Sequence, residues 1–241
     1  MVSVVVPAFN RRRYLRLAVR SLLAENIPGM EIIVVDDGSN DGTLDTVSDL
    51  PVNSVRFEEN RGPSAARNAG IRAATQNYIA FLDSDDLLVP EGLRWRVAYL
   101  EGHPGEKGVL GIVDKFIDGE GKPNRNEHYD LGRVYADLPE RIVLEDGRRG
   151  FQFPCPVVPA MFRADVFREI GDFDESLRLA EDQDFLCRFL KRYSLPAFRR
   201  PVFQYRVHDQ NASIRAKQGY LYGTAASEAL RILVLRSHGL G

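Results

Sequence analysis

The sequence predicts an α/β fold: a mostly parallel central sheet with flanking helices, completed by a smaller C-terminal region. Three observations predict it. Over the first hundred residues, short β-branched runs alternate with stretches of helical periodicity, the pattern of crossover connections in a parallel sheet. The strand-like runs are apolar throughout rather than alternating, as expected where helices cover both faces. Polar clusters rich in aspartate follow directly on the ends of those runs, at the edge where open α/β sheets bind ligands.

The elements follow in order. Val2 to Val6 is the first strand and stops at Pro7. Tyr14, Leu15, Ala18, Leu22 and Leu23 share one face of a helix ended by Pro28 and Gly29, with Arg12, Arg13, Arg16 and Arg20 mostly elsewhere. Ile32 to Val35 is a second buried strand, and Asp36, Asp37, Gly38 and Ser39 make the turn before a helix starting near Thr43. Val52 to Phe57 is a third strand. Pro63 suits the first turn of a helix carrying Ala65, Ala66, Ala69 and Ala73. Tyr78 to Leu82 is the fourth strand, and a helix from about Glu91 to Leu100 follows.

The second half is less regular. Gly108 to Phe116 reads as a strand, and residues 118 to 150 as a long surface loop with one short helix. Pro154 to Phe162 returns to the core, Asp165 to Ile170 is a short helix, and Glu181 to Tyr193 carries Phe185, Leu186, Phe189 and Leu190 at helical spacing. A strand near Val202 to Val207 and an amphipathic helix from about Tyr220 to Ser237 complete the chain. With no internal repeat and no linker, residues 1–241 read as one domain. It divides into a regular half, about 1–100, and a less regular half, about 101–241.

Composition narrows the function classes. At 241 residues and 44% hydrophobic content the chain can bury a sizeable core. A formal net charge of -2 offers no broad basic field for nucleic acid. Cys155 and Cys187 are the only cysteines and lack metal-site spacing, so both are expected to be buried free thiols in a reducing compartment. No apolar run approaches the roughly 18 residues of a membrane span, and Met1 leads directly into a strand. The expectation is a cytoplasmic protein with no transmembrane segment, with room for peripheral membrane association through a partner or a lipid-borne substrate.

The run Ala80, Phe81, Leu82, Asp83, Ser84, Asp85, Asp86 is the most informative stretch. A buried strand there ends in three carboxylates, of which Asp83 and Asp85 can present oxygen ligands to a hard divalent cation that neutralises a diphosphate.

The ordered set of motifs resembles glycosyltransferase family 2 over nearly the whole chain. It comprises VSVVVPAFN at 2–10, VVDDGSNDGT at 34–43, NRGPSAARNAG at 60–70, FLDSDD at 81–86, GDFDESL at 171–177, AEDQDF at 180–185 and YRVHDQNAS at 205–213. The resemblance implies a GT-A fold, with a Rossmann-like central sheet and an inverting transfer from a nucleoside-diphosphate sugar. Mn²⁺ or Mg²⁺ would be the cofactor, a saccharide or lipid-linked molecule the acceptor, UDP the default nucleotide, and bacterial envelope or capsule glycan synthesis the setting.

It also implies roles. Pro7, Ala8, Phe9 and Asn10 would line the base pocket, with ordinary core packing the rival for Phe9. Asp37 would accept a hydrogen bond from the base, against the bland role of an acid at a helix start. Arg61 and Arg67 would face base or phosphates, or one would pair with Asp83 or Asp85. Asp83 and Ser84 would meet the donor, and Asp85 and His208 the metal. Asp182 would be the general base, with helix capping the competing role. Glu181 would orient the acceptor or a neighbouring arginine.

Other classes fit less well. A sugar nucleotidyltransferase would carry a glycine-rich loop after the first strand, and a dinucleotide oxidoreductase a GxGxxG there; neither is present. A non-catalytic binding relative would be expected to lack Asp85 or Asp182. A processive synthase would carry membrane spans and a QxxRW motif, and Arg94-Trp95 stands in the wrong place for one.

Overall fold

The strand β1 (Val2–Ala8) organises the sheet, in a computed structural model that describes residues 1–124, 135, 138–143, 157–177, 180–209 and 211. It pairs in parallel with β2 (Glu31–Asp36) on one side and β4 (Tyr78–Phe81) on the other, and β3 (Asn53–Arg56) extends the sheet beyond β2. Both faces are covered, which is why the run is apolar throughout. Val4 and Val6 pack with Leu15, Ala18, Val19 and Leu22 of α1 (Leu15–Leu23), and Val5 packs with Ala66 and Ala69 of α2 (Pro63–Ala73) on the opposite face. The second contact is close. A Cβ on Gly70 would lie 2.2 Å from Val5 Cγ1, so α2 sits against β1 at a distance that only glycine allows.

Beyond β4 the sheet becomes mixed. β8 (Ala160–Arg163) lies antiparallel to β4, and β6 (Gly108–Ile117) antiparallel to β8. β9 (Leu195–Arg206) runs parallel to β6 and antiparallel to both β5 (Leu87–Leu88) and β7 (Arg141–Ile142). Parallel pairing is therefore a property of the first four strands and of β6 with β9. The order along the sheet is β3-β2-β1-β4-β8-β6-β9-β5.

Three helices complete the described elements: α3 (Arg94–Gly102), α4 (Asp165–Ile170) and α5 (Glu181–Leu190). Phe185 of α5 stacks on Phe167 of α4 at 5.1 Å and on Phe173 at 4.7 Å, and meets Phe162 of β8 edge-on at 5.3 Å. This ring cluster fixes the start of α5 against the sheet, and truncating a fully buried phenylalanine of this kind costs about 3–5 kcal/mol.

Several expectations are adjusted. Leu44–Val47 is one 3-10 turn rather than a helix. There the Asp41 carboxylate takes the Thr43 N–H, and the Thr46 and Ser48 hydroxyls donate to backbone carbonyls, so side chains compete for helical hydrogen bonds. α3 begins at Arg94 because Glu91 has φ 66. β9 starts seven residues before the expected Val202 and runs through Pro196 and Pro201. β7 falls inside the stretch expected to be loop. Cys187 is a buried free thiol. Cys155, the strand expected from Pro154 and the helix expected from Tyr220 lie wholly or partly outside the described residues.

Candidate active site

The carboxyl ends of β1, β2 and β4 and the start of α5 meet on one side of the sheet. Two loops are stitched together first. The Asp37 N–H donates to Ala8 O at 2.8 Å, the Asn10 N–H donates to Ser39 Oγ at 2.8 Å, and Asn10 Oδ1 accepts from the Asn40 N–H at 3.1 Å. Asn10 holds a left-handed backbone, φ 52, to make this turn. Pro7 and Ala8 remain within β1, while the Phe9 side chain is 41% exposed, which removes core packing as its role.

Asp37 is buried and densely bonded. Its carboxylate accepts from the Arg61 N–H at 2.7 Å, the Gly62 N–H at 2.9 Å and Asn60 Nδ2 at 2.9 Å. It thus anchors the segment that opens α2. Gly38 follows at φ +76 with Glu59 and Asn60 backbone so near that a Cβ there would approach within 2.9 Å. Arg61 extends away from this anchor, pairing with Glu175 at 3.2 Å and lying over the Phe57 ring at 4.8 Å. Asp36 accepts from the Ser39 N–H and caps the same turn.

The turn after β4 concentrates charge. Asp85 Oδ2 accepts from Arg11 Nε at 3.1 Å and meets His208 Nε2 at 2.9 Å. Burial works against the charged form, but the His208 hydrogen bond and the Arg11 charge outweigh it and lower the Asp85 pKa. Ser84 and Asp86 are buried. Asp86 Oδ1 accepts from the Arg206 N–H at 2.8 Å while its Oδ2 has no hydrogen-bond partner, and burial beside Asp85 and Asp83 raises its pKa well above the ordinary carboxylate range. Arg206 lies beneath the turn, donating from Nε to Asp85 O at 2.7 Å and from Nη1 to Asp118 O at 2.9 Å. Tyr14 stands between Arg206, at 4.9 Å from its ring, and the His208 ring, stacked at 5.0 Å.

A buried arginine joins this turn to α5. Arg67 donates to Glu181 Oε1 at 2.7 Å and reaches Asp83 Oδ1 at 3.4 Å. Burial opposes its charge, yet Glu181 and Asp83 hold it firmly protonated. Burial likewise raises the Asp83 pKa despite Arg67. Ala180, at φ 64, turns the chain into α5 so that Glu181 points at Arg67 and Asp182 follows beside it. Among the described residues Asp182 receives one hydrogen bond, from the Gln183 N–H at 2.8 Å, and burial together with the Glu181 charge raises its pKa to about 7.

The donor set suits a divalent cation bound partly by substrate. Asp85 and His208 offer one carboxylate and one imidazole nitrogen side by side, matching an ion that completes its shell with diphosphate oxygens and water. Among the described residues, no cluster of three or more His, Cys, Asp or Glu side chains stands at ligating geometry.

All thirteen residues singled out in the sequence thus lie on or beside this edge, with Arg61 turned toward Glu175. Tyr14 and Arg206 carry no distinctive signal, since the first reads as a helix core position and the second as one arginine in a strand. Arg11 is hidden in the run Arg11-Arg12-Arg13.

Comparison with known proteins shows a family and a fold. Residues 3–171 match glycosyl transferase family 2. The succinoglycan biosynthesis protein ExoO of Rhizobium meliloti is 33% identical over 78% of this chain and 55% of its own length. The putative glycosyltransferase EpsH of Bacillus subtilis is 30% identical, over 86% of this chain and 61% of that protein. Among solved structures, S. aureus TarS 1–349 superposes with TM-score 0.66 at 23% identity, over 85% of this chain and 60% of that one. The same TarS fragment has also been solved with UDP and with UDP-GlcNAc. The mannosyltransferase PcManGT from Pyrobaculum calidifontis, solved with GDP-Man and Mn²⁺, superposes with TM-score 0.68 at 20% identity, over 99% of this chain and 67% of that one. The chain spans about 60% of the TarS fragment and of EpsH, and no helix among the described residues is long and apolar enough to cross a membrane.

Proposed function

The chain belongs to glycosyltransferase family 2, and we propose that it transfers a sugar with inversion from a nucleoside-diphosphate donor, by preference a UDP-sugar, to an acceptor hydroxyl. The acceptor is a saccharide or lipid-linked molecule of bacterial envelope or capsule glycan assembly. The nucleotide complexes of TarS and PcManGT support the donor class, and the kinship with a succinoglycan biosynthesis protein supports the setting.

One observation carries the reading. The bridge Asp83–Arg67–Glu181 links the donor turn to the residue preceding Asp182, so one guanidinium pairs with the carboxylate that would meet the donor and with the immediate neighbour of the one that would take a proton. Asp182 takes the proton of the acceptor hydroxyl as that oxygen attacks the anomeric carbon opposite the diphosphate. The bond to the diphosphate oxygen breaks and its electron pair leaves with the diphosphate. A base with a pKa of about 7 is well matched to proton transfer near neutrality. Asp83 accepts a donor hydroxyl, and the loop anchored by Asp37, with exposed Phe9 beside it, forms the base pocket. Asp85 and His208 would hold Mn²⁺ or Mg²⁺, which when bound offsets the charge developing on the departing diphosphate.

The test is thermal unfolding against UDP, dTDP and GDP, each with Mn²⁺ and with EDTA. A nucleotide at about 100 times its Kd adds roughly 2.7 kcal/mol, several degrees for a chain of this size. A metal-dependent shift with one nucleotide supports the donor site and selects the base; no shift with any nucleotide contradicts it.

A further inference from the structure

The Asp85 carboxylate is already engaged by a cation that belongs to the chain. Arg11 Nε and His208 Nε2 converge on the same oxygen, Oδ2, at 3.1 and 2.9 Å. Arg11 is fixed at its backbone, whose N–H donates to Thr43 Oγ1 at 2.8 Å, and its Nη1 reaches Phe9 O and Asn10 O at 3.2 Å. The guanidinium therefore spans the loop after β1 and the carboxylate after β4, two of the three strand ends that form the site. Its side chain keeps 17% of its surface exposed.

We propose that Arg11 is a displaceable cation: it occupies Asp85 until a divalent ion and a diphosphate arrive together, and then turns its guanidinium onto the diphosphate. The inference rests on the donor-site reading above and adds an order of loading to it. A bare divalent ion at Oδ2 must displace a like charge and leave that charge beside itself, which disfavours metal binding alone. A diphosphate removes the penalty, because its oxygens accept the released guanidinium bidentately. Metal and nucleotide are then coupled through Arg11 as well as through their direct contact, and the coupling must be the same from either direction.

The experiment measures Mn²⁺ binding to wild type, Arg11→Gln and Arg11→Lys by electron paramagnetic resonance, without nucleotide and with UDP. Calorimetry of UDP binding in excess Mn²⁺ accompanies it. Arg11→Gln is expected to bind Mn²⁺ alone about tenfold more tightly than wild type and UDP with Mn²⁺ about tenfold more weakly. Arg11→Lys keeps the charge without the fork, so it should bind Mn²⁺ alone like wild type while losing UDP affinity. Unchanged or weaker Mn²⁺ binding in Arg11→Gln, with wild type still binding Mn²⁺ and UDP, overturns the proposal and leaves the donor site standing. If Arg11→Gln does not fold, Arg11→Lys decides, and unchanged UDP affinity in that variant overturns the proposal. Wild type that binds neither Mn²⁺ nor UDP overturns both readings.

Discussion

The carboxylates at the two ends of the site are treated in opposite ways. Asp37, after β2, accepts hydrogen bonds from Asn60, Arg61 and Gly62 and is a fastening between loops. Asp182, at the start of α5, accepts one among the described residues, from its own helix, and lies among other acids, where burial raises its pKa to about 7. The difference separates residues that shape a site from residues that act in it. A carboxylate that accepts several donors is fixed in place, whereas one buried with few donors can exchange a proton near neutral pH.

The largest expected effect is on Asp182. Asp182→Asn is predicted to reduce transfer, or donor hydrolysis in the absence of acceptor, by about 10²- to 10⁴-fold with nucleotide affinity nearly intact. Wild-type turnover in that variant, measured under single-turnover conditions, would break the contrast with Asp37. Asp37→Ala should instead act on folding and binding. It strands the N–H groups of Arg61 and Gly62, at about 1–3 kcal/mol each, so the unfolding midpoint should drop before any change in chemistry. A variant as stable as wild type would show that the loop holds itself.

Arg67→Lys sharpens the comparison from the middle. A lysine cannot span Glu181 and Asp83 as a planar fork, so turnover should fall by about tenfold with little change in KM for the donor, a split that steady-state kinetics reads. Asp86→Asn is the smallest. Burial beside Asp85 and Asp83 pushes Asp86 toward its neutral form, and an amide keeps the acceptor bond to Arg206, so the substitution should change stability at pH 7 by less than about 1 kcal/mol in denaturant titration.

The side of the site built by β1, β2 and β4 was also the more legible in the sequence. Val2 to Val6, Ile32 to Val35 and Tyr78 to Leu82 announce strands because they are covered on both faces, and the aspartates that follow them fall at the sheet edge as expected. β9 was half hidden because Pro196 and Pro201 lie within it and its pairing with β6 shifts register. β5 is two residues long, too short for any periodicity to declare it. Within the site, the Asp83 and Glu181 positions were readable from their motifs. That one buried arginine joins them depends on the approach of α5 to α2, residues 114 apart in sequence, which local pattern does not encode.

The pH dependence follows from the same carboxylate. As the proposed base, Asp182 can take a proton only when ionised, so turnover should rise with pH through about 7. Its contribution to stability runs the other way. An acid with a raised folded pKa favours folding most below its ordinary value near 3.8, and that advantage is lost as pH rises through about 7.

The most direct measurement is a ¹³C-carboxyl NMR titration of aspartate-labelled protein from pH 4 to 9, in wild type, Asp182→Asn and Glu181→Gln. The account predicts that among the aspartate resonances of wild type is one titrating near pH 7 that is absent in Asp182→Asn and moved to lower pH in Glu181→Gln, where a neighbouring negative charge has been removed. An Asp182 resonance that titrates in the ordinary carboxylate range, or that is indifferent to Glu181, would contradict it.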